Sequence, residues 1–86
     1  MKKIDDHTYT LILSVRNTSG VLVRCIQAFN RRGHNIESLH VETTKSTPHI
    51  ASITITAFGS KKTVHQIVMQ LRKLIDVMDV IRQDQS

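Results

Sequence analysis

The hydropathy of this chain changes period along its length, and that succession leaves few folds open. From Thr8 to Val15, Tyr9, Leu11, Leu13 and Val15 alternate with Thr8, Thr10, Ile12 and Ser14, the repeat of a strand. Asn17-Thr18-Ser19-Gly20 stops it with turn and cap residues, after which Val21, Leu22, Cys25, Ile26 and Phe29 recur at helical spacing. A helix is predicted to start near Ser19 or Gly20. It closes at Arg31-Arg32-Gly33, where cations meet the negative end of the helix dipole and glycine can turn left-handed. Asn35 to Thr44 reads as a strand with Ile36, Leu39 and Val41 as its apolar positions. The turn Lys45-Ser46-Thr47-Pro48 then leads into a third strand, Ile50 to Phe58, so the two strands form a hairpin. Gly59-Ser60 breaks that strand, and Val64, Ile67, Val68, Leu71 and Leu74 mark a second amphipathic helix capped by Ser60 or Thr63. A short strand, Val77 to Arg82, completes the series.

The order β-α-β-β-α-β predicts an α+β, ferredoxin-like fold, with a four-stranded antiparallel sheet and both helices on one face. Its usual strand order, 4-1-3-2, puts the second strand at an edge. That strand, 35–44, has only Glu37, His40 and Glu42 to discourage pairing, so a homodimer through it, with one continuous sheet, is expected. At 86 residues there is room for one domain, 8–82, between a flexible N-terminus, 1–7, and a flexible tail, 83–86. Cys25 is the only cysteine, which excludes internal disulfides and CxxC motifs. Nowhere does an apolar run approach the length of a membrane span, and no signal peptide is visible, so a soluble, cytoplasmic protein without membrane contact is expected.

The segment Val15 to Leu22 is the most informative. The first-turn amides of Gly20, Val21 and Leu22 have no intrahelical acceptor and lie at the positive end of the helix dipole, where a carboxylate binds well. Glycine at 20 lets a ligand or a second chain approach the backbone, and Asn17 offers both a carbonyl and an amide. The same residues also serve as ordinary caps. By this pattern alone, residues such as Asn17 and Ser19 are more often ordinary helix caps than parts of an anion site.

Three runs carry a family resemblance: Ser14-Val-Arg-Asn-Thr-Ser-Gly-Val-Leu22, Phe29-Asn-Arg-Arg-Gly-His-Asn-Ile-Glu-Ser-Leu39 and Gln66-Ile-Val-Met-Gln-Leu-Arg-Lys-Leu-Ile-Asp-Val-Met-Asp-Val80. Together they resemble an ACT domain, and more narrowly the regulatory small subunits of acetohydroxyacid (acetolactate) synthase, over about residues 8 to 82. The resemblance implies a non-catalytic subunit in branched-chain amino acid biosynthesis that binds and activates a large catalytic subunit. It also implies feedback inhibition by valine or a related amino acid. Thiamine diphosphate, magnesium and flavin would belong to the large subunit, with no cofactor in this chain. In such subunits the effector lies at the dimer interface. Carried over, its residues are Asn17, Ser19, Gly20, Val21 and Leu22 in the loop of one chain, with Asn35 and Ile36 from the second strand of the other. The sequence departs from the family at His34, where Tyr or Phe is frequent, at Ser52, where Arg is frequent, and at the turn Lys45-Ser-Thr-Pro-His-Ile50. It resembles the short members built from one ACT domain.

Other functions find less support. The net charge of +5 suggests nucleic acid, but the basic residues are scattered pairs and the aromatic residues are only Tyr9, Phe29 and Phe58. An RNA-recognition module shares the element order, yet the third strand lacks its paired aromatics. No nucleic-acid partner is expected. His34, His40 and His49 fall on different faces by alternation, which argues against a metal site. No acid–base pair and no nucleophile motif is visible, so no catalytic residue is assigned. A free-standing ACT-type amino-acid sensor is the alternative to a synthase subunit.

Overall fold

The computed structural model describes residues 6–83, and the expectations for residues 1–5 and 84–86 lie outside the described residues. The elements are β1 (Asp6–Arg16), α1 (Val21–Asn30), β2 (Asn35–Thr43), β3 (Ile50–Ser60), α2 (Lys61–Arg72) and β4 (Val77–Gln83). They form one antiparallel sheet in the order β2-β3-β1-β4, the predicted ferredoxin-like arrangement. β1 begins earlier than Thr8. Asp6 and His7 pair with Ser60 and Gly59, because β3 itself continues past Phe58 to the start of α2. Residues 6 and 7, expected in the N-terminal segment 1–7, thus belong to β1, and Gln83, expected in the tail 83–86, belongs to β4, where it pairs with Thr10.

Alternation decides which face the helices cover. Tyr9, Leu11, Leu13 and Val15 of β1 and Ala51, Ile53, Ile55 and Ala57 of β3 are buried against Val21, Cys25 and Phe29 of α1 and Val64, Ile67 and Leu71 of α2. Each large side chain fully buried this way contributes about 1.5–3 kcal/mol. The opposite face of the two central strands carries Thr8, Thr10, Ile12, Ser14, Ser52, Thr54 and Thr56 and no helix.

The helix ends differ in how they are capped. Ser60 caps α2, its hydroxyl accepting from the Lys62 amide at 3.3 Å. α1 has no side-chain cap; its N-cap is Gly20 at φ 81°, ψ −2°, so neither Asn17 nor Ser19 plays that part. After α1, Gly33 at φ 70° turns the chain toward β2, as its place after Arg31-Arg32 predicts.

β2 is an open edge. Its residues on the helix side, Leu39 and Val41, pair with Ile55 and Ile53 yet stay 38% and 44% exposed, since neither helix reaches across them. β4 forms the other edge, and its register against β1 shifts between Ser14 and Val15.

Candidate functional site

The loop between β1 and α1 is held from both sides. The Asn17 amide donates to the His49 carbonyl at 2.7 Å and its side-chain Nδ2 reaches the Pro48 carbonyl at 3.4 Å, tying the loop to the end of the β2–β3 connection. The Thr18 hydroxyl donates to Asp76 Oδ2 at 2.8 Å, and the Arg24 guanidinium meets the same oxygen at 3.1 Å. Arg16 completes the seam: its amide donates to the Asp76 carbonyl at 2.7 Å and its guanidinium to the Ile75 carbonyl at 3.2 Å. These contacts tie the loop to the β2–β3 connection on one side and to the segment before β4 on the other.

Among the predicted loop residues, the structure sorts the free groups from the engaged ones. The Val21 amide donates to the Thr18 carbonyl at 3.3 Å and the Val21 side chain is buried in the core. The amides of Ser19, Gly20 and Leu22 donate to no backbone group among the described residues, and Gly20 is exposed. These amides retain the positive potential of the helix start, while Leu22 borders the core as a partly buried side chain. Sequence reasoning missed Arg24 and Asp76. Arg24 Nη1 lies 3.0 Å from where a Cβ on Gly20 would sit, so a guanidinium adjoins the open amides. The spacing of Arg24 four residues beyond Gly20, one helical turn, was the available signal.

Asn35 and Ile36 are not brought to this loop. Asn35 pairs with Phe58, which pairs with Thr8, whereas Arg16 pairs with Ile50 at the other end of the sheet. Eight residues of strand separate the two ends, roughly 26 Å at about 3.3 Å per residue. A single chain cannot assemble both halves. Antiparallel pairing of β2 with β2 of a second copy would set the start of one β2 beside the end of the other, which is the loop end of the sheet.

The rest of the molecule offers little chemistry. Burial pushes the Cys25 thiol up to about 11, with the Arg24 charge opposing, so the thiol stays protonated and inert at neutral pH. Among the described residues no group of histidine, cysteine or carboxylate side chains could hold a metal ion, and no helix is long and apolar enough to cross a membrane. A hollow of about 180 Å³ on the helix-free face is lined by Ile12, Ser14, Glu42, Ser52, Asp79 and Ile81, among others, and contains none of the predicted site residues.

Comparison with known proteins agrees with the fold. Residues 11–79 match the AHAS small subunit-like ACT domain family. The chain belongs to this family. It is 48% identical over 71 residues to the acetolactate synthase isozyme 3 small subunit of Escherichia coli K12, covering 80% of this chain and 43% of that one. It is 46% identical over 77 residues to the acetolactate synthase small subunit of Buchnera aphidicola from Schizaphis graminum, covering 87% and 48%. The crystal structure of the acetolactate synthase small subunit from Thermotoga maritima superposes with a TM-score of 0.78 at 33% identity, over 92% of this chain and 48% of that one. The chain thus spans about half the length of the relatives it matches.

Proposed function

We propose that this ACT domain acts as the regulatory small subunit of acetohydroxyacid synthase. In this reading it activates the thiamine-diphosphate-dependent catalytic subunit in the cytoplasm and answers to valine or another branched-chain amino acid. It performs no chemistry itself; thiamine diphosphate, magnesium and flavin belong to the catalytic subunit. The observation that carries the reading is the division of the candidate site: open amides at Ser19, Gly20 and Leu22 at one end of the sheet, Asn35 and Ile36 at the other. A second copy paired through β2 would unite them. The exposed Leu39 and Val41 along that edge give such pairing an apolar surface to bury.

The effector carboxylate would take the open amides, Asn35 of the second copy would add a hydrogen bond, and Leu22 and Ile36 would enclose a branched side chain. Regulation then follows from linkage: an effector that binds one arrangement of the pair more tightly shifts the population the catalytic subunit meets, with a coupling of about 1–3 kcal/mol. The test is titration calorimetry of the full chain with valine, leucine and isoleucine, alongside reconstitution with a synthase large subunit. Saturable binding of one of them and raised synthase activity are expected. A chain that neither binds an amino acid nor stimulates the large subunit refutes the reading.

A further inference from the structure

His34 lies between the left-handed Gly33 and Asn35, and it is the one polar residue buried in the described core, 4% exposed. Its Nδ1 meets the Tyr9 hydroxyl at 2.6 Å and its Nε2 meets the Thr63 hydroxyl. The directions of these bonds can be assigned in sequence. Thr63 donates its proton to the carbonyl of Ser60, the N-cap of α2, at 3.1 Å, so its oxygen accepts from His34 Nε2–H. In a neutral ring the other nitrogen is then an acceptor, and Tyr9 donates to it. With His34 as the Nε2–H tautomer, the chain Tyr9 to His34 to Thr63 to Ser60 has one polarity. The His34 amide is also held, donating to the Phe29 carbonyl at 3.1 Å.

The ring packs directly against the backbone of β3. A Cβ on Gly59 would fall 2.7 Å from His34 Cδ2 and nearer still to Cγ and Nδ1. Tyr9 stacks edge-on against the ring at 5.6 Å between centroids. The imidazole thus pins the chain at the point where β2 begins, one residue before Asn35.

We propose that His34 is a positioning residue for the amino-acid site. Its neutral ring, fixed by Tyr9 and Thr63, holds Asn35 and Ile36 in place for the partner chain, and its protonation in acid releases them and weakens effector binding. This rests on the effector-site reading above and adds the regulation of that site. A second proton on the ring turns Nδ1 into a donor facing the Tyr9 hydroxyl, so Tyr9 must turn its proton away and accept instead, and a charge enters the buried site. The groups facing the ring are Asp6, His7 and Tyr9 from β1, Gly59 from β3 and Thr63 from α2. Burial disfavours the charged ring and His7 acts in the same direction, while the Asp6 carboxylate opposes them. An amino-acid zwitterion keeps its own charges across the range in which His34 titrates, so the dependence belongs to the protein.

The experiment is calorimetric titration of the full chain with valine, leucine and isoleucine from about pH 8 down to about pH 5.5, with His34→Phe beside it and the Asn35 backbone amide followed by NMR. The wild-type affinity should fall by about fivefold or more as the His34 ring titrates, and the Asn35 amide shift should follow the same curve. His34→Phe, which cannot take the proton, should bind with a flat pH profile. An equal acid loss in His34→Phe, a flat wild-type profile, or an Asn35 signal that ignores the His34 titration each overturns the proposal. If His34→Phe fails to fold, the Asn35 titration in the wild type decides alone. Absence of amino-acid binding at every pH overturns the effector-site reading and this proposal with it, and differs visibly from pH-independent binding, which overturns only the role of His34.

Discussion

One oxygen of the Asp76 carboxylate accepts both from the Thr18 hydroxyl at 2.8 Å and from the Arg24 guanidinium at 3.1 Å, so a residue just before β4 ties both flanks of the β1–α1 loop. Arg24 is well exposed, which keeps the ion pair weak, and the Thr18 bond adds a charge-assisted contact. Asp76→Ala should lower stability by about 1 kcal/mol in urea unfolding and speed amide exchange at residues 18–20. Unchanged exchange there would show that the loop keeps its shape without Asp76.

Gly20 and Gly33 share a left-handed backbone, at φ 81° and 70°, but not the same surroundings. A Cβ at 33 meets open space, whereas one at 20 comes within 3.0 Å of Arg24 Nη1. Gly33→Ala should cost about 1 kcal/mol from backbone strain, and Gly20→Ala somewhat more, as read by denaturation midpoints. Gly20→Asp should also abolish amino-acid binding, since its carboxylate would take and repel the charge meant for the open amides. Calorimetry showing valine binding by Gly20→Asp would remove the loop from the site.

Gly59→Ala should destabilise the domain by about 2 kcal/mol, because its methyl overlaps the His34 ring. His34→Ala removes the obstruction but leaves the Tyr9 and Thr63 hydroxyls short of a partner. The double variant should therefore be less unstable than the two single costs combined, by about 1 kcal/mol or more. Strict additivity in urea melts would contradict the close packing.

Stability should fall on acidification through the histidine range. The folded state holds His34 below its ordinary pKa, chiefly by burial, so the unfolded chain binds the proton first. The His34 contribution is complete above about pH 6.5 and is lost as pH drops from there toward the lowered folded value. His34→Phe should flatten that part of the profile. An identical slope in both proteins would assign it to other groups.

Val41→Glu should abolish the proposed β2–β2 dimer in sedimentation, with little effect on the fold, because the position lies on the open β2 edge at 44% exposure. Leu39→Glu should act in the same way. Persistence of a dimer in both variants would place the contact elsewhere.

Sequence alone determined the fold because its cues are local. Alternation in 8–15 and 50–58, helical spacing in 21–29 and 64–71, and the glycines at 20 and 33 act through neighbours a few residues apart, and six elements in that order have few ways to bury their apolar faces. The family runs and the candidate loop were legible for the same reason. Tertiary structure alone decided which polar groups in the loop are engaged. Asn17 turns to Pro48, 31 residues away, and Thr18 to Asp76, 58 away, which left the cap to Gly20 instead of Asn17 or Ser19. It also buried His34 between Tyr9 and Thr63, 25 and 29 residues distant, and set Asn35 at the far end of the sheet from Gly20. Such partners are chosen by the packing of strands and helices against one another, and no local period or propensity encodes them.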